Sequence, residues 1–202
     1  MIRIDNKANW IIAEKYFKKY KAKIERLYPE LEGRFLGICE ANAYPNKNET
    51  QKVDTDSPLQ IIAQKEEDRC TLNCDMLVFV KDYLGKPCGI HERFCEKELF
   101  ALISHEIGHL ALHYRNETFE NCYRRDEKEE FVADKTALKL GFGRNLLDAI
   151  VKLKEDTYRE DTNNSLGPFG SLPGLGPEIK IEKMNRRIYR LKNTIKFHYL
   201  IL

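Results

Sequence analysis

The chain has 202 residues, enough for one well-buried core with a small lobe attached and short for two full domains. Thirty-four basic residues against 32 acidic ones leave a formal net charge of +2, and because the two signs are interleaved no nucleic-acid partner is expected. Hydrophobic residues make up 42%, an ordinary globular share, and no window reaches the roughly 18 uninterrupted apolar residues that a membrane span needs.

The first residues, Met1-Ile2-Arg3-Ile4-Asp5-Asn6-Lys7, lack the apolar centre of a signal peptide, so a soluble, cytoplasmic protein with reduced thiols is expected. The six cysteines are Cys39, Cys70, Cys74, Cys88, Cys95 and Cys122. Neither Cys70-x3-Cys74 nor Cys88-x6-Cys95 is a zinc-ribbon spacing, and the sequence leaves open whether these thiols are free, paired or bound to a second metal.

Asn6 is placed to cap a long amphipathic helix in which Trp10, Ala13, Phe17, Ile24, Leu27 and Tyr28 recur at helical spacing, and Pro29 marks its end. Residues 33–39 read as a strand, and Asn42-Ala43-Tyr44-Pro45-Asn46-Lys47-Asn48 has turn chemistry. Residues 52–57 form a polar loop, and residues 59–63 a second strand. The strongest strand signal is Asp75-Met76-Leu77-Val78-Phe79-Val80-Lys81, short, apolar and rich in β-formers. Two roles are open to it: an exposed edge beside a cleft, pairing with an extended peptide, or a plain core strand.

Glu96 to Arg115 then predicts a central helix, with Glu96 and Glu98 in its first turn and His113 and Arg115 in its last, as the helix dipole favours. Leucine and isoleucine on most of its sides predict that it is buried. Within it stands His105-Glu106-Ile107-Gly108-His109. His105 and His109 lie a turn apart on one face, with Glu106 about 100° further round. Two neutral imidazoles at this spacing can hold one Zn²⁺, and an adjacent glutamate outside the ligand set can take a proton from a water held there.

After a polar loop over residues 116–125, Asp126 and Glu129 stand at capping-box spacing and predict a helix that runs to Leu140 and is stopped by Gly141. Glu130 and Asp134 are four apart on that helix and share a face with Ala137, so a carboxylate projects beside a small residue that permits close approach of another helix. Glu130 lies 21 positions beyond His109, enough chain to return a carboxylate to a metal held by the two histidines. Capping assigns Glu129 to the helix start, and His113 is read as a helix-end residue, not a ligand. A further amphipathic helix is expected from Asn145 to about Arg159. The Gly/Pro-rich stretch 161–177 breaks every pattern and reads as a connection or a loop bordering a cleft. A last helix begins near Glu178, with Ile181, Met184, Ile188, Leu191 and Ile195 on one stripe.

Asn42 to Tyr44, the strand at Leu77 to Val80, Glu98-Leu99 leading into His105-Glu106-Ile107-Gly108-His109, and Glu130-Phe131-Val132-Ala133-Asp134 occur in an order that resembles HtpX-type and CAAX prenyl protease-type gluzincin metallopeptidases. The segment Pro177 to Leu191, with Arg186, Arg187 and Leu191, is similar to their closing helix. The short gap from His109 to Glu130 and the presence of His113 resemble the ImmA/IrrE-type peptidases as much. The resemblance implies an α+β, zincin-like fold in which a small mixed sheet packs on an active-site helix with several further helices. It implies one domain over residues 1–202, comprising an N-terminal helix (1–32), the loop 161–177 and a C-terminal helix and tail (178–202).

It further implies that His105, His109 and Glu130 bind Zn²⁺, that Glu106 is the general base, and that Asp134 orients a histidine. The membrane spans of HtpX and the prenyl proteases are missing, as is the helix-turn-helix that often accompanies ImmA-like enzymes. Gly and His do not stand where a metzincin needs them, Leu112 and Arg115 being there instead. The expected activity is metalloendopeptidase cleavage of a protein or peptide bound in extended form, with Tyr158, His198 and Arg187 as candidate donors to the reacting carbonyl. The competing reading is a zincin-fold regulatory or binding protein whose zinc site is structural or vestigial.

Overall fold

A computed structural model describes residues 7–34, 36–41, 58–62, 75–80, 93–115, 127–164 and 177–199. Among these, helix α1 (Lys7–Leu27) leads through a 3-10 turn (Pro29–Leu31) into strands β1 (Leu36–Ala41), β2 (Leu59–Ile62) and β3 (Asp75–Val80). Helices α2 (Glu96–Tyr114), α3 (Glu127–Leu140), α4 (Gly143–Asn164) and α5 (Pro177–Tyr199) follow. The class is α+β, as expected. Asn6, Asp126 and the turn at residues 42–48 lie outside the described residues, and with them two of the predicted N-caps.

Helix α2 runs through the middle of the protein. Every residue from Glu98 to Leu112 is buried, which is what a helix apolar on most sides requires. Its start is capped reciprocally: the Cys95 thiol accepts from the backbone of Glu98, and the Cys95 N–H donates to Glu98 Oε2 at 2.7 Å. A thiol in place of the usual hydroxyl or carboxylate hid this cap from the sequence reading. Lys152 of α4 donates to the same Glu98 oxygen at 2.6 Å, and Arg93 donates to the buried Asp156 at 2.9 Å. These contacts pin α4 against the start of α2. Helix α4 itself extends past Arg159 to Asn164, because residues 161–164 carry no Gly or Pro to stop it. The rest of the Gly/Pro-rich stretch, 165–176, lies outside the described residues.

The sheet has the order β1-β3-β2, with β1 parallel and β2 antiparallel to β3. All six residues of β3 are buried and both of its edges are paired. Of the two roles open to β3, the structure selects the plain core strand, and among the described residues the four-residue β2 is at an edge. A continuous apolar run is what a strand covered on both faces needs, and pairing on both sides puts this one at the centre of the sheet.

Helix α3 crosses α2 at Gly108. A Cβ built there would stand 2.6 Å from Ala133 Cα and 2.6 Å from Thr136 Oγ1, so the two helices meet backbone to backbone. Two hydroxyl pairs fix this crossing from the α1 side: Tyr28 with Thr136 at 2.6 Å and Tyr16 with Ser104 at 2.8 Å, all buried. Burial drives the Tyr16 hydroxyl's pKa upward, so it stays a neutral partner for Ser104. Gly141 ends α3 with φ +92°, the left-handed region open to glycine, while Phe142 N–H reaches back to Ala137 O at 2.8 Å. Among the described residues no helix is long and apolar enough to cross a membrane.

Candidate metal centre

His105 and His109 project from the same face of α2 toward α3, a consequence of their four-residue spacing. The close crossing at Gly108 brings Glu130 of α3 up to them. One ligand atom from each of His105, His109 and Glu130 falls within 4.8 Å of the others, and the group could hold a metal ion. The separations are 3.1 Å between the two Nε2 atoms, 3.4 Å from His105 Nε2 to Glu130 Oε2, and 3.3 Å from His109 Nε2 to Glu130 Oε1. Donors about 2.0–2.1 Å from a tetrahedral ion stand about 3.3 Å from one another, so these three are already near the edges of such a tetrahedron.

Asp134, one turn beyond Glu130, reaches the other nitrogen of His105, with Nδ1 2.9 Å from Oδ1. Arg187 Nη2 is also 2.9 Å from that nitrogen, but a guanidinium has no acceptor and a carboxylate has no donor. The network is consistent when Nδ1–H donates to Asp134, which leaves the Nε2 lone pair of His105 facing His109 and Glu130. Burial, followed by the nearby Arg187 charge, lowers the pKa of His105 and favours this neutral form, despite the opposing pull of Asp134 and Glu130.

Arg187 comes from α5 and ties the carboxylates together. Its Nε donates to Asp134 Oδ2 at 2.8 Å, its Nη2 contacts Asp134 Oδ1, and its Nη1 stands 2.8 Å from Glu130 Oε2. Burial alone would raise the pKa of Glu130; the guanidinium, helped by the two imidazoles, reverses this and holds the carboxyl well below its ordinary range. Asp134 is lowered by the same balance of burial against Arg187 and His105. Arg187 in turn is held firmly protonated, because Asp134 and Glu130 outweigh its own burial.

Glu106 is buried on the neighbouring face of α2 and accepts a hydrogen bond at Oε2 from the main-chain N–H of Ile61 in β2, at 3.0 Å. Three carboxylates, Glu106, Glu130 and Asp134, thus surround two imidazoles with one guanidinium among the described residues. At neutral pH that is a formal surplus of two negative charges in a buried space, and it suits a dication.

The structure places the other candidates as follows. Glu129 is buried outside the metal group, and His113 stacks edge-on against Tyr114 in the last turn of α2. Tyr158 is half exposed on α4 with Lys154 near its ring, and the side chain of His198 lies outside the described residues. Arg187 is at the site, but its guanidinium is engaged by Asp134 and Glu130. Its role as a clamp on the carboxylates was missed in the sequence, although a signal was present. Arg187 falls three residues after Met184 and four before Leu191, on the apolar stripe of α5, and a charge there needs a buried partner. No local signal announced the Ile61 N–H. Compared with models of known protein families, with curated proteins and with solved structures, the chain matches none.

Proposed function

We propose that this protein is a zinc-dependent metalloendopeptidase of zincin-like architecture, with His105, His109 and Glu130 as metal ligands and Glu106 as general base. The observation that carries the reading is the triangle of two buried imidazoles and a half-buried carboxylate at near-tetrahedral spacing, with a further buried carboxylate beside it that is not part of the ligand set. Two nitrogens and one oxygen favour zinc over the harder divalent cations. When bound, zinc supplies a Lewis acid that polarises the scissile carbonyl and makes a water acidic enough to deprotonate near pH 7.

The chain's own residues do the rest. Glu106 accepts the proton of the attacking water and passes it to the departing amine. Asp134 keeps His105 in the tautomer that offers Nε2, and Arg187 holds Asp134 and Glu130 in place against their mutual repulsion. The edge of β2 that faces away from β3 borders Glu106, so an extended substrate lies along β2.

The test compares zinc content and cleavage of casein by the native protein and by Glu106→Gln. One zinc per chain in both, with cleavage only in the native protein, is the expected result. Zinc retained with no cleavage in either would favour a regulatory or binding protein with a structural site. Equal cleavage by both would refute Glu106 as base.

A further inference from the structure

We infer that the main-chain N–H of Ile61 is a positioning group for Glu106, fixing the carboxylate of the proposed base from the edge of the sheet. The catalytic half of this inference rests on the peptidase reading; the hydrogen bond itself does not. Ile61 N donates to Glu106 Oε2 at 3.0 Å. The register explains why that N–H is available. Strand β2 pairs antiparallel with β3 as Leu59↔Phe79, Gln60↔Val78, Ile61↔Leu77 and Ile62↔Met76, and Val80 N–H donates to Pro58 O at 3.0 Å. In an antiparallel pair hydrogen-bonded and non-hydrogen-bonded positions alternate. Pro58, Gln60 and Ile62 therefore turn their main-chain groups toward β3, while Ile61 turns its N–H the other way, onto α2.

Helix α2 presents Glu106 to that edge because Glu106 is one residue past His105, rotated about 100° from the metal-facing side. A glutamate has three side-chain torsions, and a base that wanders among rotamers takes up a proton less often in the right geometry. A main-chain amide is a rigid donor, held here by the ladder between β2 and β3, and its bond to a buried carboxylate is charge-assisted. One four-residue strand thus does two things: it borders the substrate path and sets the plane of the carboxylate. Two other roles for the same N–H predict different outcomes. As a substrate contact it would act on binding, and as a latch on a resting base it would restrain the rate.

Ile61→Pro removes the N–H, and since that group points away from β3 the ladder survives the change. With the zinc-loaded full chain and casein-derived peptides, Ile61→Pro is expected to lower kcat about 10- to 100-fold, with KM within about twofold and zinc content unchanged. Ile61→Val, which restores the N–H with a closely similar side chain, is expected to rescue kcat. The second measurement is free of catalysis: in amide-resolved NMR of the metal-free chain, the Ile61 proton should lie downfield in the native protein, and in Glu106→Ala it should move upfield and exchange about tenfold faster. A rise in KM with kcat preserved would assign the N–H to substrate, and a rise in kcat would make it a latch; either overturns the inference. An Ile61 amide indifferent to Glu106→Ala overturns it as well, and decides the matter should Ile61→Pro fail to fold. If the native protein does not cleave, the peptidase reading falls, while the amide measurement still decides whether Ile61 holds Glu106.

Discussion

Gly108→Ala is the sharpest probe of how the two metal-bearing helices are held together. In a solvent-exposed helix this substitution stabilises by about 1 kcal/mol, because glycine is the poorer helix former. Here the added methyl would stand 2.6 Å from Ala133 Cα and 3.0 Å from Ala133 O, both main-chain atoms that cannot swing aside. Thr136 Oγ1, also 2.6 Å away, is held by Tyr28 and cannot swing aside without breaking that bond. Restoring ordinary contact needs α3 to retreat by about 1 Å, and overpacking of this kind costs about 1–3 kcal/mol. The clash therefore cancels or outweighs the gain in helix propensity.

The larger effect falls on the metal, because Glu130 and Asp134 travel with α3. A retreat of about 1 Å is several times the roughly ±0.2 Å within which metal–ligand distances are kept. Zinc affinity is expected to drop at least about tenfold, the scale on which disturbed ligand support acts. Competition with a chromophoric chelator measures the affinity, and thermal unfolding of the metal-free protein measures the fold. Unchanged affinity together with a raised Tm would show that the helices do not meet as described, and the account of how Glu130 reaches the histidines would fail.

Arg187→Ala strands the buried Asp134 and the half-buried Glu130 without their cation and is expected to destabilise the chain by about 3 kcal/mol in urea unfolding. Arg187→Lys should recover only part of this, since one ammonium cannot replace a guanidinium that bridges Asp134 and Glu130; full recovery would mean that charge alone matters. Asp134→Ala should weaken zinc binding about 10- to 100-fold while keeping one ion per chain, as read by chelator competition. Glu98 is buried, but Lys152 and the Cys95 N–H hold its carboxyl below the ordinary value. Its folded pKa is depressed, so its contribution is present above the unfolded value of about 4.3 and is lost as pH falls through the folded one. The stability difference between the native chain and Glu98→Gln should therefore shrink in acid below about pH 4; a difference that stays constant from pH 7 to pH 3 would refute the assignment.

Helix positions were legible wherever periodicity and local stop signals were strong. The ends of α2 and α3 fell within a residue of expectation because dipole-matched charges and Gly141 act locally. Where a signal depended on what covered a segment, the sequence left the outcome open. The apolar run of β3 looked the same whether it sat at an edge or in the middle, and pairing on both sides, a long-range fact, decided for the middle. The Cys95 cap was missed because a thiol is an uncommon acceptor at that position.

His105, Glu106 and His109 were set by the sequence alone, since a four-residue interval on a helix puts two imidazoles on one face whatever surrounds it. So was the availability of Glu130 and Asp134 as a pair one turn apart. The sequence already favoured Glu130 over Glu129, but only the tertiary structure brings its carboxylate to the histidines, because that depends on how α3 is rotated where it crosses Gly108. It alone brought Arg187 from 53 residues beyond Asp134 to balance the buried carboxylates, and the Ile61 amide from 45 residues before Glu106 to hold it. Both contacts join elements far apart in the chain, and such contacts arise only when helices and strands close on a common core.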